Sequence, residues 1–242
     1  MPSFIKIAHR GASGSFPENS RLAFQKAIEA RADMIELDCQ LSQDGHVVVF
    51  HDEKLARITK AAGTVGQRSL AQLKQLDVGG WLKRSFRGER IQTLEEVLAL
   101  INGSCRLCID IKQFSGSPAG IEIKLLFILS HFDYLDRVIF SSFDYRCLGQ
   151  VRELAPRVRI GLIYGNGVTE DPFVAAGCLG ATSIHVQKEM ASREFLQRAW
   201  AGGLDVFVWT VNDVSTMERF ASLGVQGIFS DFPERFGKVN RS

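Results

Sequence analysis

Histidines and carboxylates gather at the ends of four short apolar runs in the first half of this chain. The first run closes on His9-Arg10-Gly11, the second on Glu36-Leu37-Asp38, the third on His51-Asp52 and the fourth on Asp110-Ile111-Lys112. Glu36 and Asp38 are two residues apart, so in an extended segment they share a face, and Asp110 and Lys112 repeat that spacing. Carboxylates in otherwise apolar strands need a partner, because buried charges are paired or bind metal. Oxygen ligands select hard cations, so Glu36, Asp38 and Asp110 point to one divalent ion, Mg²⁺ or Ca²⁺, with Mn²⁺ also admissible. His9 and His51 beside such an ion could serve as general base and general acid near neutral pH. Arg10 and Lys112 add positive charge where a phosphate would bind, Arg by bidentate hydrogen bonds and Lys as a point charge.

These groups need elements that bring them to one place. Eight β-branched runs recur along the chain, at Ile5–Ala8, Met34–Asp38, Leu107–Ile111, Val138–Ser141, Arg159–Tyr164, Thr182–Val186, Val206–Thr210 and Gly227–Ser230. Segments with helical period lie between most of them: Ser20–Ala30, Leu94–Ile101, Ala119–Ser130, Tyr145–Leu154, Asp171–Ala176, Ser192–Ala201 and Val214–Leu223. Alternating strands and helices predict an α/β fold with a parallel sheet. Eight such strands in 242 residues suit a (β/α)8 barrel, which typically needs about 250 residues. In such barrels the reactive groups sit at the C-terminal ends of the strands, where these do. No linker or domain boundary is visible, so residues 1–242 read as a single barrel domain.

Two features interrupt the repeat. His46–Phe50 follows Gln43-Asp44-Gly45, and Asp-Gly between extended segments signals a hairpin after the second strand. A two-residue turn at Asp44-Gly45 pairs Gln43 with His46, sets Asp38 opposite His51 and puts Glu36, Asp38 and His51 on one face. Residues 52–92 are too long for a strand-to-helix loop and predict a small insertion over the barrel mouth that contributes to substrate shape.

Composition excludes other classes. With 45% hydrophobic and 23% charged residues, the chain is an ordinary globular sequence. A net charge of +2 and the lack of a long basic run argue against nucleic acid as a partner. No apolar run approaches the roughly 20 residues of a membrane span. The five scattered cysteines suit reduced thiols and a cytoplasmic setting, and Cys105-x-x-Cys108, without nearby ligands, reads as buried hydrophobes. His46, His131 and His185 read as turn, helix-end and strand residues, with His185 near enough to a strand end to touch substrate.

Taken in order, these motifs resemble the glycerophosphodiester phosphodiesterase family. The resemblance is carried by His9-Arg10-Gly11, Pro17-Glu18-Asn19-Ser20, Glu36-Leu37-Asp38 and His51-Asp52. It continues through Thr93-Leu94-Glu95-Glu96, Ile109-Asp110-Ile111-Lys112, Ser142-Phe143, Trp209-Thr210-Val211-Asn212 and Gly227-Ile228-Phe229-Ser230-Asp231, covering essentially the whole chain. It implies a phospholipase-C-like barrel, a divalent metal on Glu36, Asp38 and Asp110, and catalysis by His9 and His51. The implied reaction hydrolyses a small-molecule glycerophosphodiester to glycerol 3-phosphate and an alcohol. Arg10 and Lys112 would contact the phosphate, Asn19 would lie near the metal site, and Trp209 would line the glycerol end. Two positions depart from the family pattern: Asp110 where Glu is usual, and Ser20 where Thr is usual. A lysophospholipid substrate is the main alternative, suggested by Trp81, Leu82 and Phe86. A metal- or phosphate-binding barrel without catalysis is the other.

Overall fold

The computed structural model describes residues 4–239. Its strands are β1 (Ile5–Ala8), β2 (Met34–Leu41), β3 (Val47–Val49), β4 (Gln92–Thr93), β5 (Arg106–Ile111), β6 (Val138–Ser142), β7 (Arg159–Tyr164), β8 (Ser183–Gln187), β9 (Asp205–Trp209) and β10 (Gly227–Ser230). The helices are α1 (Arg21–Glu29), α2 (Ala56–Thr59), α3 (Leu70–Leu73), α4 (Leu94–Ile101), α5 (Ile121–His131), α6 (Tyr145–Leu154), α7 (Pro172–Leu179), α8 (Arg193–Ala201) and α9 (Val214–Leu223). A 3-10 turn over Pro233–Lys238 takes the last helix position. Strand β1 pairs in parallel with both β2 and β10, which closes the eight expected strands into a barrel.

Period-two alternation sorts each strand between two cores. On β2, Ile35, Leu37, Cys39 and Leu41 face the helix layer, where they pack with residues such as Phe24 and Leu98. Met34 turns inward and meets Ile7, Cys108, Ile139, Phe207 and Phe229 near the barrel axis. Glu36 and Asp38 follow Met34 at two-residue steps, so they too point to the axis. The parallel register sets Asp38 beside Asp110 on β5. Burying a large apolar side chain contributes roughly 1.5–3 kcal/mol, and the many buried on both sides of β2 and β5 offset the burial of these charges.

Helix starts follow the sequence signals. Ser20 caps α1 by accepting from Ala23 N, and Thr93 with Glu96 forms a capping box on α4. Asp144, Asp171, Ser192 and Asp213 cap α6 to α9. Each such cap is worth about 1 kcal/mol.

The hairpin after β2 is one residue out of the expected register. Cys39 pairs with Val49 and Leu41 with Val47, so Asp38 stands opposite Phe50, whose N–H donates to the Asp38 carbonyl. The loop holds three residues rather than two: Ser42 N–H bonds the His46 carbonyl, and Gly45 takes φ +79°. A left-handed glycine closing a three-residue loop is the bulged hairpin form. Alternation alone would then turn His51 away from Asp38. It returns because β3 ends at Val49 and the Gln40 amide donates to the carbonyls of Phe50 (2.7 Å) and Asp52 (2.8 Å), folding the chain back over the barrel mouth.

Beyond Asp52 the insertion builds its own apolar cluster from Leu55, Ile58, Val65, Leu73, Val78 and Ile91 under Val48 and Phe50. Strand β4 returns the chain beside β3. The insertion shapes the mouth less directly than expected. None of residues 54–92 lines the axial cavity, and only Asp52 and Glu53 reach the groove beside it.

Candidate active site

At the C-terminal ends of the strands lies a cavity of about 280 Å³. His9, Arg10, Glu36, Asp38, His51, Asp110, Lys112 and Trp209 all line it. Asn19 does not; it stands behind Asp38, where its amide donates to Asp38 Oδ2 at 2.8 Å. Arg10 and Asn19 both adopt left-handed backbone, at φ 54° and 56°. For Arg that conformation costs roughly 1–2 kcal/mol. It is held by the Arg10 N–H, which donates to Glu36 Oε2 at 2.8 Å, and by the Asn19 N–H, which donates to the Arg10 carbonyl. Gly11 follows at φ +81°, with a Cβ there only 2.7 Å from the Ala23 backbone, so no other residue fits this turn against α1.

Glu36, Asp38 and Asp110 are all buried, and each places a carboxylate oxygen within 4.8 Å of the others. Burial pushes Glu36 well above the ordinary carboxylate range, and the Asp38 charge adds to it. Burial acts the same way on Asp38, but Lys112, Arg10 and His51 outweigh it and hold that group low. Burial lifts Asp110 to about 6, with Lys112 opposing and Asp38 assisting. Lys112 Nζ sits 2.5 Å from Asp110 Oδ2 and 3.2 Å from Asp38 Oδ1. Arg10 Nε is 3.3 Å from Asp38 Oδ2, within ion-pair range but not aligned for a hydrogen bond. Asp110 Oδ1 is buried with no hydrogen-bond partner. A buried carboxylate oxygen without a partner is expensive unless a cation meets it. Burial and mutual repulsion, which raise Glu36 and Asp110, would be relieved by a further cation, so the cluster fits a divalent ion.

The two histidines are anchored alike. His9 Nδ1 lies 2.7 Å from Asp231 Oδ1, and Asp231 is held by Ser13 Oγ and by the Asn212 amide at 2.7 Å. His51 Nδ1 lies 2.7 Å from Asp52 Oδ1. Burial lowers His51 below its usual range, although Asp38 opposes the shift. Burial likewise opposes ionisation of Asp231, yet the bonds from His9, Asn212 and Ser13 bring it to about 2. A carboxylate accepting from Nδ1–H fixes the ring and directs Nε2 elsewhere.

Asp231, Asp52 and Glu18 are residues that chemistry at single positions overlooks, although all three lie inside the quoted motifs. Arg57 has no such signal. It donates to Glu18 through Nη1 (2.8 Å) and Nη2 (2.6 Å) and to Asp52 through Nε (2.5 Å), while Glu18 also accepts from Arg10 Nη1 at 2.9 Å.

His185 forms part of the cavity floor and is almost wholly buried. It stacks on Phe207 with centroids 5.0 Å apart and hydrogen-bonds Ser183 Oγ at 3.0 Å. Trp209 forms one wall, its indole N–H donating to the His185 carbonyl and its ring meeting Phe143 edge-on.

A sequence model of the glycerophosphoryl diester phosphodiesterase family matches residues 9–235. The chain belongs to that family. The match to the glycerophosphoryl diester phosphodiesterase family therefore spans the whole cluster from His9 to Asp231. A glycerophosphodiester phosphodiesterase of Caldanaerobacter subterraneus subsp. tengcongensis is 42% identical over 95% of both chains. One from Bacillus altitudinis is 34% identical over 96% of both. Among solved structures, an Oleispira antarctica phosphodiesterase in complex with the product sn-glycerol-3-phosphate superposes with a TM-score of 0.89 at 29% identity, covering 98% of this chain and 96% of its own. The chain therefore carries an enzyme fold of this family. No helix among the described residues is long and apolar enough to cross a membrane.

Proposed function

We propose that this chain, acting as one barrel domain, hydrolyses glycerophosphodiesters to glycerol 3-phosphate and an alcohol. The observation that carries the reading is the pair of carboxylate-anchored histidines facing one cavity with three buried carboxylates and two cations. Arg10 and Lys112 neutralise the phosphodiester oxygens, so charge developing in the transition state meets groups already in place. Glu36, Asp38 and Asp110 would hold one divalent ion, Mg²⁺, Ca²⁺ or Mn²⁺, which when bound adds Lewis-acid polarisation of the phosphoryl group. Asn19 serves substrate binding indirectly, by fixing Asp38.

His51, which burial keeps neutral, is suited to accept the proton of the attacking hydroxyl, whether from water or from the substrate's own glycerol. His9 then donates a proton to the leaving alkoxide as its bond to phosphorus breaks. Where the glycerol hydroxyl is the attacker, water opens the resulting cyclic phosphate to glycerol 3-phosphate, His9 taking the water's proton and His51 returning one to the departing glycerol oxygen. Asp231 stabilises the imidazolium form of His9 before that transfer, and Asp52 does so for His51 after it has taken its proton. Trp209 and Phe143 give the glycerol end an apolar wall.

A small head group suits the mouth better than a lipid. Phe86 packs against Phe16, the Trp81 indole donates to the Val78 carbonyl, and neither ring lines the cavity. The free cysteines, four of them buried, support a reducing and cytoplasmic setting.

The direct test is release of glycerol 3-phosphate from glycerophosphocholine, first with EDTA and then with Mg²⁺, Ca²⁺ or Mn²⁺ restored. Metal-dependent release is expected, and the preferred ion reports on the short Asp110 side chain. Absence of release with every ion would sink the glycerophosphodiester assignment.

A further inference from the structure

We infer that Arg57, on the short helix α2 of the insertion, is a positioning residue that ties the proton-transfer and phosphate-binding sides of the site together; the inference rests on the proposed roles of His51 and Arg10. Arg57 does not line the cavity. It reaches the site through two carboxylates. Its Nε and Nη2 meet Asp52 at 2.5 and 3.2 Å, and its Nη1 and Nη2 meet Glu18 at 2.8 and 2.6 Å. From Asp52 the chain of bonds runs to His51 Nδ1, and from Glu18 it runs to Arg10 Nη1. One guanidinium thus sits at the junction of two arms that end on the two groups asked to move a proton and to bind the phosphate.

The geometry requires arginine. A planar fork can bond two carboxylates bidentately along two edges, whereas a lysine ammonium offers a single point of charge. Exposed ion pairs usually contribute little, and the Arg57 side chain is 43% exposed. The exception is a network with bidentate geometry, which this is. Removing the guanidinium leaves two carboxylates that shared one nitrogen, Nη2, facing each other without a cation. Their repulsion frees Asp52 to turn toward solvent and away from His51, and leaves Glu18 held by Arg10 alone.

Helix α2 has only four residues and could not stand by itself. Leu55 and Ile58, on either side of Arg57, anchor it in the insertion's own apolar cluster with Val65 and Leu73. Trp81 lies beside the guanidinium, 5.9 Å from its centre. The insertion contributes no residue beyond Glu53 to the cavity or its adjoining groove, yet its separate core holds one arginine in place over two carboxylates. That accounts for a folded unit of about forty residues which lines so little of the site.

The test compares Arg57→Ala, Arg57→Lys and Leu73→Ala in the full chain. The readouts are kcat and KM for glycerophosphocholine, the melting temperature, and the ¹⁵N resonances of His51 in histidine-labelled protein. Arg57→Ala is expected to stay folded, to lose on the order of 10- to 100-fold in kcat with a raised KM, and to shift the His51 Nδ1 resonance. Arg57→Lys should remain impaired, and millimolar guanidinium should partly restore Arg57→Ala. Leu73→Ala, which opens the insertion's core but leaves the bonded chain itself intact, should lower the melting temperature and cost less in kcat than Arg57→Ala. Unchanged kcat, KM and His51 resonance in Arg57→Ala would overturn the inference. So would an Arg57→Ala variant whose kcat falls while the His51 resonance stays in place, since the arm through Asp52 would then carry nothing. If the unmodified chain releases no glycerol 3-phosphate, the proposed function fails, while the His51 resonance still decides whether Arg57 positions that ring.

Discussion

His9 and His51 face the same cavity from scaffolds of different kinds. His9 sits at the end of β1, and its carboxylate comes from Asp231 just past β10, which the closure of the barrel places alongside. Ser13, Asn212 and the Asn212 carboxamide oxygen's bonds to Asp231 N and Ser230 Oγ lock that partner from several elements. His51 takes its carboxylate from the next residue, on chain that has already left the hairpin ladder. It is steadied from outside by Arg57 and from below by Gln40. The same local geometry, a 2.7 Å contact to Nδ1, is therefore fixed once by topology and once by a side-chain network. A residue set by barrel closure can move only if the barrel deforms, whereas one set by a surface network depends on each link.

The largest expected effects remove the histidines themselves. His9→Ala and His51→Ala should each lower kcat by on the order of 10²- to 10⁴-fold with little change in fold, as loss of a general acid or base does. Activity measured on glycerophosphocholine checks this, and a His51→Ala enzyme that turned over normally would break the two-histidine scheme.

Changing the anchors separates the two scaffolds. Asp231→Asn and Asp52→Asn should each cost on the order of 10- to 100-fold in kcat, because a carboxamide no longer stabilises the imidazolium. Only Asp231→Asn should also lower the melting temperature clearly, since it strands Ser13 and Asn212 as well. Equal losses of stability in the two variants would erase the distinction between a topological and a networked anchor.

The same distinction explains what the sequence makes legible. Strands Ile5–Ala8, Arg159–Tyr164 and Gly227–Ser230 can be read to the residue, because each is a short apolar run bounded by turn or polar signals. Strand parity then places Glu36, Asp38 and Asp110 on the axis without further information. The hairpin register is not so readable. Asp44-Gly45 suits both a two-residue turn and the last two residues of a three-residue loop, and the choice is made by Ser42, whose N–H and hydroxyl both bond His46. His51 nevertheless reaches the cavity, for a reason that alternation cannot supply. The Asp231 partnership spans 222 positions and emerges only when the barrel closes. Arg57 is hardest of all to find, because its role depends on the separate folding of the insertion.

A third histidine sharpens the comparison by having no carboxylate at all. His185 is buried on the barrel axis against Phe207, with Ser183 Oγ at 3.0 Å and Cys108 Sγ at 3.9 Å from its ring nitrogens. Burial without an anionic partner depresses it to about 3. An unfolded histidine titrates near 6.5, so below that pH the unfolded chain binds a proton that the folded chain refuses. The sign is therefore destabilising in acid: the penalty is absent above about pH 6.5 and grows as pH drops toward 3, by up to about 1.4 kcal/mol per unit. Between pH 6.5 and 5 the loss from this residue approaches about 2 kcal/mol. His185→Gln removes the titration while keeping a polar side chain, so the stability difference between the two proteins should shrink by that amount between pH 7 and pH 5 in urea melts. A difference that stays constant would mean that His185 is not kept neutral by its surroundings. The contrast with His9 and His51, whose carboxylates can accommodate an imidazolium, would then lose its physical basis.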